Sequence, residues 1–186
     1  MSPRPSIPLT HEYILLGLLQ QRPMHGYDLH KEIASREGIA VIWSVKQSQL
    51  YALLDKLESQ GLLTSTLVPG EAHPSRKEFR LTEAGKQVLN TWMQNPVHHP
   101  REMRQDFLAR LYFASQASPQ AAAHLTHQQQ AVCRDWLQGL KQRGQSLGED
   151  RYYEQIVYDF RAIQITGMLE WLSSLEKKLT QKQPAL

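Results

Sequence analysis

The stretch SVKQSQLYALLDKLESQGLLTSTLV, residues 44–68, changes its apolar period part-way along, and that change decides the fold. Leu50, Leu53, Leu54 and Leu57 recur at the three- and four-residue steps of one helix face. Ser44, with Gln47 three residues later, reads as a capping box that starts this helix, and Gly61 reads as its stop. Leu62 to Val68 is then rich in Leu, Thr and Val and runs into Pro69-Gly70, which predicts a strand and a turn. Lys77 to Leu81 alternates polar and apolar residues, with Phe79 and Leu81 on one face. The pair makes a β-hairpin with a long tip that directly follows a short helix.

Working outward, Thr10 caps a first helix to about Gln20, with Tyr13, Leu15, Leu16, Leu18 and Leu19 as a broad apolar face. Arg22-Pro23 ends it, and His25-Gly26-Tyr27 opens a second helix that runs to about Glu37 before Gly38. Thr82-Glu83-Ala84 starts another, to about Gln94. Asn95 to Pro100, with two prolines and two histidines, marks a domain boundary. Beyond it every segment reads as helix: Arg101 to Ser115, then Pro119 to about Gln142 behind the cap Ser118, then Asp150 to Leu179. The expected fold is mainly α. A flexible arm (1–9) precedes a winged helix-turn-helix of three helices plus a hairpin wing (10–95), and a C-terminal all-helical dimerisation domain (101–182) follows.

The chain has 186 residues, 41% of them hydrophobic and 21% charged, as in an ordinary globular protein. Its longest apolar runs fall far short of the roughly 20 residues that span a bilayer, and residues 1–9 lack the apolar core of a secretory signal. No membrane partner is therefore expected, and the location expected is cytoplasmic. A single cysteine, Cys133, cannot form an internal disulfide; it reads as a small buried hydrophobe, with redox sensing as the alternative. The net charge of +3 is compatible with nucleic acid without demanding it, so the placement of the cations matters more than their number.

That placement is informative. Lys46, Gln47, Ser48, Gln49 and Tyr51 gather at the start of the third helix, opposite its leucines, with Lys56 further along. Glutamine can pair with adenine through two hydrogen bonds, hydroxyls reach bases or phosphates, and a helix of this kind fits a major groove about 12 Å wide. The hairpin adds His73, Ser75, Arg76 and Lys77, a wing suited to the phosphate backbone or the minor groove. Either element alone could be a solvated surface; their order and spacing together point to double-stranded DNA.

Residues 13–93 resemble the PadR family of repressors. The resemblance rests on Ile-Leu-Leu-Gly-Leu-Leu at 14–19, Gly26-Tyr27, Trp43-Ser44 and Ser48-Gln49-Leu50-Tyr51. It continues through Leu54-Asp55-Lys56-Leu57-Glu58, Gly61-Leu62-Leu63 and Phe79-Arg80-Leu81-Thr82-Glu83-Ala84-Gly85. Two departures are Ala52, where the family often has Pro, and Phe79, where it usually has Tyr. The second half is similar to the longer subgroup that shares a helical domain with virulence-gene activators, through Asp106-Phe107-Leu108, Tyr112-Phe113 and Glu170-Trp171-Leu172. The resemblance implies a homodimer held by the C-terminal helices and structural roles for Tyr27 and Trp43. It also implies either release of the DNA by a phenolic or other planar ligand, as in many members of the family, or no ligand, as in others.

The dimer has an independent argument in the stripe Ile156, Phe160, Ile163, Met168, Leu172, Leu175 and Leu179, which is longer than a small domain covers by itself. Tyr13, Tyr112, Tyr153 and Trp171 are the candidates for an aromatic effector pocket, against the plainer reading that they are core. No metal or cofactor is expected. His98-His99 and the His124/His127 pair lack the three or four convergent ligands that zinc needs. No phosphate-binding glycine loop, Gly-x-Ser-x-Gly elbow or Cys-x-x-Cys pair is present, so no enzyme is expected. The rival readings are a winged-helix protein-interaction module, a ligand-binding helical protein, and an activator without a small ligand.

Overall fold

The computed structural model describes residues 10–35, 37–69, 75–148 and 150–181. The expected arm 1–9 and His73 in the wing tip lie outside the described residues. The chain divides into two compact units, the described residues of Met1–Met93 with Leu108–Phe113, and those of Gln94–Phe107 with Ala114–Leu186.

The first unit contains α1 (Thr10–Gln21), β1 (Met24–His25), α2 (Gly26–Ile33), a 3-10 turn (Gly38–Val41), α3 (Gln47–Ser59), β2 (Leu63–Val68), β3 (Arg76–Leu81) and α4 (Glu83–Gln94). The leucines of α1 and Leu50, Leu54 and Leu57 of α3 form its core with Phe79, Leu89 and Trp92. The glycine in the α1 leucine run has a packing reason. A Cβ on Gly17 would lie 2.4 Å from the Phe113 ring, so that aromatic crosses the helix where only glycine leaves room.

Three local features depart from the sequence expectation. The helix after Trp43 begins at Gln47, three residues past Ser44: Lys46 is its N-cap with extended backbone, and no side chain caps it. Just before this start, the buried indole of Trp43 stacks on His11. Next, α2 stops at Ile33 rather than near Glu37, and the 3-10 turn opens at Gly38 with a φ of 55°. Finally, the wing is not a lone hairpin. β3 is the middle of a three-stranded sheet, with Met24 opposite Phe79 and His25 opposite Glu78 on one edge, and β2 registered from Leu63–Leu81 to Val68–Arg76 on the other.

The end of α3 is as expected. Gly61 has a φ of 71°, its N–H donates to the Glu58 carbonyl and the Leu62 N–H donates to the Leu57 carbonyl, a Schellman stop. Thr82 joins this turn to α4: its hydroxyl donates to the Gly61 carbonyl and accepts from the Gly85 N–H. A Cβ on Gly85 would sit 2.2 Å from the Leu62 carbonyl oxygen.

The second unit contains a 3-10 turn (Pro100–Arg104), α6 (Pro119–Gln145) and α7 (Tyr152–Gln181), and α5 (Asp106–Ala117) supplies residues to both units. The helix expected from Arg101 therefore starts at Asp106, after the 3-10 turn. Ser118 caps α6 as expected, its Oγ accepting from the Ala121 N–H at 3.0 Å. The apparent linker is pinned. Both backbone groups of Val97 are paired with the buried Gln129 amide, and Glu102 accepts from the N–H groups of His98 and His99. Cys133 is buried, and burial pushes its thiol pKa up, which disfavours the reactive thiolate. Among the described residues, no helix is long and apolar enough to cross a membrane.

Because the obstacle at Gly85 is backbone rather than a flexible side chain, Gly85→Ala should lower stability by about 1–3 kcal/mol. Urea denaturation measures it, and an unchanged midpoint would show that the Thr82 turn relaxes freely.

Candidate nucleic-acid interface

The buried leucines of α3 fix which of its residues face outward. With Leu50, Leu54 and Leu57 inward, Lys46, Gln47, Ser48, Gln49 and Tyr51 are all exposed. The missing side-chain cap also leaves the first N–H groups of α3 without a side-chain acceptor, the arrangement that receives an anion at a helix start.

The sheet brings this face to the wing. A cleft of about 450 Å³ is lined by Gln47 and Tyr51 of α3, His25, Gly26 and Tyr27 at the start of α2, and Ser75, Arg76 and Lys77 of the wing. Two contacts hold it together. The His25 ring nitrogen Nδ1 lies 3.2 Å from the Lys77 carbonyl oxygen, so a proton on Nδ1 ties α2 to the wing. The Tyr51 ring rests on Gly26, where a Cβ would come within 2.6 Å of it. Sequence reasoning left His25 and Tyr27 out of the interface. Tyr27, taken as structural from the resemblance, is 56% exposed, whereas Trp43 is buried as implied. The signal for His25 lies in its register opposite Glu78, which only the folded sheet reveals.

The cations differ sharply in availability. Arg76 is exposed and has no ion pair among the described residues. Lys77 lies 3.3 Å from the Glu58 carboxylate and 6.0 Å from the Phe79 ring centre. The Ser65 hydroxyl, and then Lys77, hold the Glu58 carboxyl below its ordinary pKa. Lys56 is half-exposed but engaged, its Nζ donating to the carboxylate of Glu12, which is buried in α1. Ser75 is exposed where β3 begins.

The aromatic candidates fall into separate groups. In the first unit, Tyr13 stacks on Trp92 at 4.7 Å and 4°, and Tyr112 meets Phe113 edge-on at 5.1 Å. Arg110 lies over the other partner of this cluster, with its guanidinium 5.2 Å from the Trp92 ring centre. In the second unit, Trp171 packs edge-on against Phe107, and Tyr153 is exposed. The dimerisation candidates also separate: Ile156, Phe160 and Ile163 are exposed, Met168, Leu175 and Leu179 are half-buried, and Leu172 is fully buried within its own chain. Among the described residues, no three His, Cys, Asp or Glu side chains stand together as a metal site would require.

Residues 15–91 match the model of the transcriptional regulator PadR-like family, and residues 103–180 match the virulence activator α C-terminal domain. The chain is 32% identical over 114 residues to the negative transcriptional regulator PadR of Bacillus subtilis (strain 168), covering 61% of this chain and 62% of that protein. It thus spans less than two thirds of that relative's length. The crystal structure of Bacillus subtilis PadR with operator DNA is similar at 26% identity and a TM-score of 0.47, over 92% of this chain and 99% of that one. The structure of the same protein with p-coumaric acid gives 25% identity and a TM-score of 0.41, over 92% of this chain and 96% of that one.

The Glu12 contact predicts that Lys56 matters for folding first. Lys56→Ala should cost about 1–3 kcal/mol in urea unfolding by withdrawing the cation from a buried carboxylate. Lys46→Ala, on the exposed face, should stay within about 0.5 kcal/mol of the parent. Equal midpoints for the two variants would remove Lys56 from the core of the fold.

Proposed function

The chain belongs to the PadR-like family of transcriptional regulators, and from that premise we propose that it binds operator DNA as a homodimer and represses transcription. The observation that carries the reading is the shared cleft. It sets the exposed polar face of α3 beside Ser75, Arg76 and Lys77, so one surface combines groups suited to base edges with groups suited to phosphates. The division of labour follows from the contacts. Gln47, Ser48 and Gln49 enter the major groove, Tyr51 braces the helix against α2, and Arg76 takes the backbone charge. Repression accords with the negative regulator to which the chain is similar.

The second copy has both a reason and a place. A single module with so few uncompensated cations discriminates weakly, while two on a two-fold axis read a palindrome and multiply their affinities. The place is α7. Ile156, Phe160 and Ile163 lie on the helix face opposite Ile165 and Leu172, and are 47%, 59% and 71% exposed. Gly167 continues that face, and a Cβ there would meet nothing within 4 Å. An apolar stripe of this length on one helix is the mark of an association surface. Tyr13 and Tyr112 are committed to packing with Trp92 and Phe113, which leaves their rings no free face for an aromatic effector between those pairs.

A gel-shift titration against the DNA upstream of its own coding region should give one specific complex with a two-fold symmetric footprint. Arg76→Ala should weaken specific and random duplexes alike and flatten the salt slope by about one unit. Lys77→Ala should flatten it less, since Glu58 already compensates that charge. Gln49→Ala should lose about 1–3 kcal/mol on the operator only. Binding no tighter to the upstream DNA than to random duplex would overturn the reading.

The dimer is tested apart from DNA by sedimentation. The parent should run as a dimer at micromolar concentration, and Phe160→Asp with Ile163→Asp as a monomer with unchanged helix content. A parent that sediments as a monomer would refute the α7 interface.

A further inference from the structure

We propose that the second unit carries a binding site for a small organic anion with a doubly charged head and a flat aromatic body. The proposal does not rest on the operator reading. The site is a cleft of about 530 Å³ between the His98–Arg101 segment, α6 and α7, a volume ordinary for a small-molecule site. Arg101, Arg143 and Arg161 come to it from three different elements, and the flat indole of Trp136 lines it with Leu140 and Ile165.

Charge gives the first argument. None of the three arginines has an ion pair among the described residues. Glu102, at the cleft's edge in sequence, is occupied instead by the N–H groups of His98 and His99. Three guanidinium groups gathered without a counter-charge repel one another, and a dianion relieves that repulsion. A singly charged head would leave most of it in place.

Pre-organisation gives the second. The Arg143 Nε donates to the Gly139 carbonyl at 3.0 Å, folding the guanidinium back along α6. Gly139 leaves the space for this fold, since a Cβ there would lie 3.3 Å from an Arg143 terminal nitrogen. With Nε engaged, the terminal N–H groups remain to grip a phosphate or a pair of carboxylates. The indole and the aliphatic side chains beside it suit an aromatic ring rather than a bare ion. Sequence reading had set His98 and His99 aside as poor metal ligands. Here they line the cleft beside the arginines.

Isothermal titration of the full chain with 1-naphthyl phosphate should show one saturable site per chain, with inorganic phosphate and 1-naphthol each binding at least about tenfold more weakly. The double variant Arg143→Ala/Arg161→Ala should lose binding by at least about tenfold, and Trp136→Leu by a smaller factor. Arg134→Ala/Lys141→Ala removes the same charge from α6 outside the cleft and should bind as the parent does. Circular dichroism establishes that each variant is folded. Three results would each overturn the site: no saturation with 1-naphthyl phosphate at millimolar concentration, undiminished binding by the cleft double variant, or an equal loss in the two double variants. Binding of inorganic phosphate as tight as that of the naphthyl ester would refute the aromatic part of the assignment.

Discussion

The first unit depends on β3 being paired along both edges. A hairpin of two short strands is marginal by itself, and a wing built that way would have no fixed direction. Here Phe79, fully buried in the middle strand, faces Ser65 on one side and Met24 on the other. The two-residue strand β1 is thus more than decoration. It ends at His25, directly before Gly26, so the pairing that anchors the wing also fixes where α2 starts, and Tyr51 can then lie across that glycine. The wing, α2 and α3 are positioned by one buried strand, and the cleft among them follows. The replacement of an expected Tyr by Phe79 accords with this burial, because a hydroxyl at that depth would require a partner.

Local chemistry was legible in the sequence and long-range pairing was not. The α3 stop at Gly61, the Ser118 cap and the burial of Leu50, Leu54 and Leu57 follow from residues a few positions apart, where turn geometry and helical period act directly. The capping box misled because Ser44 and Gln47 have the right spacing while the backbone is still extended at Lys46, so the helix begins only at Gln47. β1 was invisible: two residues carry no period, and their partners lie more than fifty positions away. The same holds for Lys56. As part of an exposed helix face it looked available to phosphate, yet Glu12, 44 positions earlier, takes its charge. Helical periodicity finds the face a residue occupies, not the partner waiting there.

Those hidden partners alter the electrostatic account of the interface. The contacts leave less free charge than the modest positive balance of the sequence already implied. Lys56 neutralises a carboxylate inside the fold, Lys77 shares Glu58 with Ser65, and Arg80 is paired with Glu78 at 2.6 Å. Arg76 and Lys46 therefore carry most of the available attraction, beside neutral donors and acceptors on α3. In the proposed complex such a surface would gain less from counterion release per copy, and more of its selectivity would come from hydrogen bonds and from two copies held at a fixed spacing.

The last helix shows how one sequence stripe can conceal two surfaces. Read as a single run, Ile156, Phe160, Ile163, Met168, Leu172, Leu175 and Leu179 look like one seam. At 3.6 residues per turn, however, Ile156, Phe160 and Ile163 lie about half a turn round from Leu172. The later residues face α6, where Leu172 is fully buried and Glu176 accepts a hydrogen bond from Gln130. The earlier ones face away from it. A helix that is apolar on two sides must be covered on both, and within this chain α6 covers one. The side left over coincides with the glycine at 167, where another helix could approach closely. In the proposed dimer, the long final helix would lie as a layer between α6 and the second copy.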